Sequence, residues 1–119
     1  MEKNIDVGGK LVPFKATGAT PRIYRRLFDR DIFADMSSLT SAIQEGGTLG
    51  TVSLELFENI AYCMAKQADA SIPDEPDAWL DSFDVLSIYQ ILPQIFELWN
   101  LNQFQLETPK KNNEEQSAS

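Results

Sequence analysis

The sequence predicts a mainly α fold: a small α-helical domain of about four to five helices preceded by a short N-terminal β-hairpin. Three observations carry this. Apolar residues recur at helical spacing through most of residues 20–101, most densely in Phe83–Leu101, FDVLSIYQILPQIFELWNL. Thr20-Pro21, Gly46-Gly47 and the acidic, proline-containing SIPDEPDAWLD punctuate those runs where helices begin and end. Ahead of them, two short alternating runs flank Gly8-Gly9. A chain of 119 residues supports one domain with one modest core. Residues 1–106 are expected to form it, and 107–119, polar and without pattern, to be a disordered tail.

Taken in order, residues 3–16 read as the hairpin. Two glycines tolerate the positive φ angles of a tight turn, and that turn puts Ile5 and Val7 on one face with Val12, Phe14 and Ala16. Leu11 and Pro13 then point the other way, and Pro13 suits an edge. The first helix starts at Thr20-Pro21, with Thr20 as its cap, and carries an apolar stripe of Ile23, Tyr24, Leu27 and Phe28. Arg22, Arg25, Arg26 and Arg30 occupy the rest of its surface. They read either as a solvated face salt-bridged to nearby acids or as a docking face.

Asp31 caps a second helix to Glu45 with Ile32, Met36, Leu39 and Ile43 inward, and Gly46-Gly47 stops it. Residues 52–70 form a third helix, apolar along Leu54, Phe57, Ile60, Ala61, Met64 and Ala68 and wet along Glu55, Glu58, Asn59, Lys66 and Asp69. Trp79, Leu80 and Phe83 are expected to plug the core beside the last helix, with Pro76 at a helix start.

Phe83–Leu101 is the stretch around which the rest is expected to organise. One arc holds Val85, Ile88, Tyr89, Leu92, Ile95, Phe96 and Trp99, and Pro93 should kink or divide the helix. The opposite side mixes polar residues with Phe83, Leu86, Ile91, Leu98 and Leu101. Either both faces are buried in this domain, or the second meets a partner.

Composition excludes several functions. The net charge is −8, divided as +4 over residues 1–30, −12 over 31–109 and zero over 110–119. So acidic a surface repels phosphate, and no nucleic acid is expected as partner. No run is long and apolar enough for a membrane span, and MEKNIDVGG lacks a signal-peptide core. One cysteine allows no internal disulfide and suits an intracellular chain. With no histidine, the usual general base and metal ligand are missing. Cys63 reads as a small core hydrophobe. Asp74, Glu75, Asp77 and Asp81 fit no EF-hand spacing and are explained by a helix N-terminus. No enzyme, cofactor or metal site is expected.

The segment KLVPFKATGATPRIYRRLFDRDIFADM, with the later DEPDAWLDSFD and the long final apolar helix, resembles the tail assembly chaperones of long-tailed phages and prophages of Gram-positive bacteria. Its most specific part is FKATGATPRIYRRLF: a strand, a Thr/Gly loop, a Thr-Pro start and an arginine-rich helix. The resemblance covers residues 8–102. The family more often has a glycine near position 29, where this chain has Asp29.

The resemblance implies a non-enzymatic role. Such proteins bind and solubilise the tape measure protein, help recruit tail tube (major tail) subunits, and act in the cytoplasm of the bacterial host. They are absent from the mature virion. The partner surfaces expected here are Phe83, Leu86, Ile91, Leu98 and Leu101, and the arginine face of Arg22, Arg25, Arg26 and Arg30. A homo-oligomer is also compatible. The family often makes a frameshifted longer form, and Lys110-Lys111-Asn112 permits a slippery A-AAA-AAC heptamer. Two other functions fit the same residues: a structural virion component such as a head–tail connector or tail-completion subunit, and a small acidic phage adaptor or inhibitor of a host protein.

Overall fold

The computed structural model describes residues 2–46 and 50–107. The expected disordered tail beyond 107, the frameshift position at Lys110–Asn112, Gly47 of the helix stop and the side chain of Leu101 lie outside the described residues. Among the described residues two strands are followed by six helices, against the four to five expected: β1 (Glu2–Val7), β2 (Lys10–Lys15), α1 (Thr20–Phe28), α2 (Ile32–Gly46), α3 (Thr51–Ala68), α4 (Pro76–Leu80), α5 (Ser87–Gln90) and α6 (Leu92–Glu107).

β1 and β2 pair antiparallel in the register the turn dictates, Ile5 opposite Val12 and Val7 opposite Lys10. Gly8 (φ +62°) and Gly9 (φ +94°) supply the two positive angles of the tight turn. The Gly9 N–H donates to Asp6 Oδ1 at 2.7 Å, which fixes it further. The expected inner face, Ile5, Val7, Val12, Phe14 and Ala16, is buried, and Leu11 is exposed.

The hairpin lies against α3, and α3 is the element the fold is organised around, touching β2, α1, α2 and α4. That corrects the expectation that Phe83–Leu101 holds this place. The physical reason is in the small residues of α3. Ala61, Cys63 and Ala65 let neighbours approach closely, and burial extends past the expected apolar face to Leu56, Tyr62 and Ala65, so Leu56, Phe57 and Ile60 through Ala65 are all buried. Lys66, expected in solvent, instead donates to the carbonyls of Ala70 and Ile72 and to Asp74 (2.7–2.9 Å), which holds the loop after α3.

Thr20 does not cap α1. Its hydroxyl is fully buried, donates to Gln67 Oε1 at 2.6 Å and accepts from the Thr17 N–H at 2.8 Å. A side chain turned to α3 cannot also serve its own helix terminus. Pro21 does sit in the first turn. α1 ends at Asp29, which is left-handed (φ 56°, ψ 41°) and donates its N–H to Arg25 O at 2.7 Å. Two residues on, Asp31 Oδ1 accepts from the Phe33 N–H at 2.9 Å, the expected start of α2.

The C-terminal stretch is not one helix. α4 begins at Pro76, as its proline suggested. Residues 81–86 then form successive tight turns, with N–H groups of Ser82, Phe83 and Ser87 bonded three residues back. α5 is a single turn, and the chain breaks at Ile91 before Pro93 enters the first turn of α6. There a proline removes no helical hydrogen bond.

Trp79 sits between layers, with ring centroids 6.3 Å from Phe14, 5.7 Å from Tyr62 and 5.1 Å from Phe83, all edge-on. This cluster joins the hairpin, α3 and α4. No described helix is long and apolar enough to cross a membrane.

Candidate functional site

The structure divides the expected arginine face in two. Arg30 is a structural residue. Its Nε and Nη2 donate to the two oxygens of Asp35 at 2.8 Å each, and the Tyr24 hydroxyl donates to the same carboxylate at 2.6 Å. Asp35 is only 2% exposed, so it needs this fork; the fork-shaped guanidinium matches two carboxylate oxygens as no other side chain does. The Arg30 hydrogen bonds hold Asp35 below the usual carboxylate range, while burial and the same carboxylate raise Tyr24 far above a free phenol. Together these residues bind α1 to α2 across the left-handed Asp29.

Arg22, Arg25 and Arg26 are exposed, and no ion pair among the described residues involves them. The salt-bridged reading of that face therefore holds only for Arg30. Leu27, expected inward with the stripe, is partly exposed beside them.

The expected second apolar face is taken apart more thoroughly. Ile91 (2% exposed) and Leu98 (1%) belong to this chain's own core, together with Ile95 and Trp99 from the other face. As an exposed partner surface these two are corrected: the chain uses both sides of the α5–α6 region for itself. Phe83 is half-buried against the core with its ring 5.1 Å from Trp79, and Lys10 Nζ lies 5.3 Å over that ring. Leu86 is open to solvent at 64%. Val85, expected on the inner arc, is exposed at 83%, more than any other described large hydrophobic residue.

What survives is a corner, residues Asp81–Leu86 between α4 and α5. Beside it lies a cleft of about 280 Å³ walled by Leu80, Phe83, Val85, Ile88 and Tyr89, with Asp81 and Asp84 also on its lining. The Tyr89 hydroxyl donates to the Glu58 carboxylate, which ties one wall to α3 and raises the phenol's pKa. Asp77, Asp81 and Asp84 are exposed and make no ion pair among the described residues. Asp74, by contrast, is held low by its hydrogen bond to Lys66.

The chain matches no protein-family model, no curated protein and no solved structure.

A second groove, about 480 Å³, runs between α2 and α6. Its apolar part is Phe33, Met36, Phe96 and Trp99, with Phe33 half-exposed 5.4 Å from Trp99, and its rim is neutral and polar. No described cluster of three or more His, Cys, Asp or Glu side chains could hold a metal ion. Cys63 is buried, and burial pushes its thiol up to about 12. What the arrangement offers chemically is surface: an acidic corner with an apolar tip, and a basic helix face. The exposed tip eluded the sequence reading because the helical period was extended through residues that turn instead. The paired aspartates Asp81 and Asp84 around Phe83 were the available signal for a turn.

Proposed function

We propose that the chain is a phage tail assembly chaperone, one that binds and solubilises the tape measure protein and helps recruit tail tube subunits. The observation that carries this is the apolar pair Val85 and Leu86, left in solvent on a strongly acidic protein. A holdase must offer apolar surface to its client and enough like charge to stay dispersed while loaded. The net charge of −8 supplies the second requirement. The resemblance of KLVPFKATGATPRIYRRLFDRDIFADM to this family supports the same reading. Its place of action is then the cytoplasm of the bacterial host, and it leaves before the virion is complete.

The test is co-expression with the tape measure protein of the same gene cluster, followed by solubility and pull-down assays and by examination of purified virions. The expected result is a soluble, co-purifying tape measure protein and virions that lack this chain. A chain that stays in purified particles while the tape measure protein remains insoluble would make it a structural virion component instead.

A further inference from the structure

The geometry points to a specific kind of client segment: the Asp81–Leu86 corner docks a cationic amphipathic helix of another protein. This rests on the chaperone reading and narrows the chemistry of what is held. Val85 and Leu86 project from the corner, and the neighbouring cleft of about 280 Å³ has apolar walls from Leu80, Phe83 and Ile88. Such a surface accepts side chains from one stripe of a helix, the i, i+3, i+4 pattern of helix-in-groove recognition.

The sign of the partner follows from the rim. Asp77, Asp81 and Asp84 are exposed and unpaired among the described residues, and the nearby Lys10 is engaged over Phe83. A helix whose stripe is flanked by Lys or Arg lays its aliphatic stems along Val85 and Leu86 and brings its charges to those carboxylates. A helix flanked by Glu meets repulsion at each.

The chain has a cationic helix of its own, α1, and a second copy could in principle present it. Its apolar side is already used: Tyr24 is buried, and Ile23 and Phe28 pack on the core. Only Leu27 would be left to cover two exposed side chains. A foreign helix with a free stripe is the better occupant.

The test uses the full chain and two synthetic helical peptides sharing one leucine stripe, rimmed by Lys/Arg in one and by Glu in the other, with binding read by fluorescence anisotropy. The cationic peptide should bind about tenfold more tightly, an advantage that shrinks as salt rises. Asp77→Asn/Asp81→Asn/Asp84→Asn should lose that advantage, and Val85→Ser/Leu86→Ser should lose binding of both peptides. Circular dichroism confirms that the variants fold, as expected for exposed sites.

Equal binding of the two peptides, or full binding by the Val85→Ser/Leu86→Ser variant, would overturn the proposal. So would self-association that competes with the peptide and disappears in Arg22→Glu/Arg25→Glu/Arg26→Glu, since the occupant is then a second copy. The two readings separate cleanly. A tape measure protein solubilised equally well by Val85→Ser/Leu86→Ser overturns the docking and leaves the chaperone. Selective peptide binding without any effect on the tape measure protein does the reverse.

Discussion

Replacing Gly8 by alanine tests how the hairpin positions the corner. A Cβ built at Gly8 would meet Ser87 Oγ at 2.4 Å and Ser87 Cβ at 3.0 Å. Ser87 opens α5 and is buried, so it has little room to retreat. Gly9 is the control. Its φ is also positive, but a Cβ there meets nothing within 4 Å. Both substitutions carry the backbone cost of a side chain in left-handed space, about 1–2 kcal/mol. Only Gly8→Ala adds overpacking, about 1–3 kcal/mol. The expected losses are about 3 kcal/mol for Gly8→Ala and about 1.5 kcal/mol for Gly9→Ala, read by urea denaturation with equal m-values.

The double variant Gly8→Ala/Ser87→Ala should recover part of the excess, because the closest atom is gone. It should not recover the backbone share. The same steric push moves α5, and with it one wall of the cleft, so Gly8→Ala should also weaken binding of the cationic peptide more than Gly9→Ala does. If Gly8→Ala costs no more than Gly9→Ala, or Ser87→Ala gives no relief, the hairpin turn does not seat α5 and the reasoning fails.

Four further outcomes are expected. Asp29→Gly should raise stability by about 1 kcal/mol in thermal melts, because glycine takes the left-handed position freely and an acid is removed from a helix C-terminus; a lower melting temperature would contradict the assigned φ. Arg30→Ala should melt well below Arg25→Ala, because it strands the buried Asp35. The folded-state pKa of Asp35 is depressed, so its contribution is full above the unfolded value near ~3.9 and is lost as pH falls through the folded value. Asp35→Asn should therefore be less stable at neutral pH yet lose less on acidification below about pH 4, with Asp69 and Asp74, also depressed, still supplying some slope. Cys63, with its thiol pushed up to about 12, should resist a thiol reagent at mildly alkaline pH until denaturant is added; prompt labelling of the native chain would show that α3 is not buried as described.

The fold was legible where local chemistry and tertiary packing agree. Gly8-Gly9 between alternating runs fixes a hairpin register with no outside help, and the inner face follows from period two. Ile32, Met36 and Leu39 fall inward as their 4, 3 spacing places them on one side of α2. Legibility failed where a residue had two uses. Thr20-Pro21 looks like a cap and start, but the hydroxyl is used instead in the half-buried pair with Gln67, a partner 47 residues away. The four arginines look alike on a helical wheel. Arg30 lies past the left-handed Asp29 that ends α1, and that turn carries it onto Asp35, which a helical wheel drawn through residue 30 does not show. The central role of α3 was hidden for a related reason, since Leu56, Tyr62 and Ala65 lie off the expected apolar stripe and are buried only because neighbours come close on that side too.

The candidate site was the hardest part to read, and the reason bears on function. Val85 lies three residues before Ile88, so a helix drawn back through Asp84 would bury it. Instead α5 begins only at Ser87, which faces Gly8 too closely for a Cβ there, and Phe83 is packed edge-on to Trp79. With the period broken there, Val85 and Leu86 have no interior to enter. Two exposed β-branched and γ-branched side chains give up about 1.5–3 kcal/mol each relative to full burial. A sequence that leaves both in water beside three carboxylates with no ion pair among the described residues forgoes stability that a single helical turn could recover. That loss is recovered if another helix supplies the missing contact, as the proposed docking requires, so the corner, and not buried Ile91 or Leu98, is the place to test for a partner.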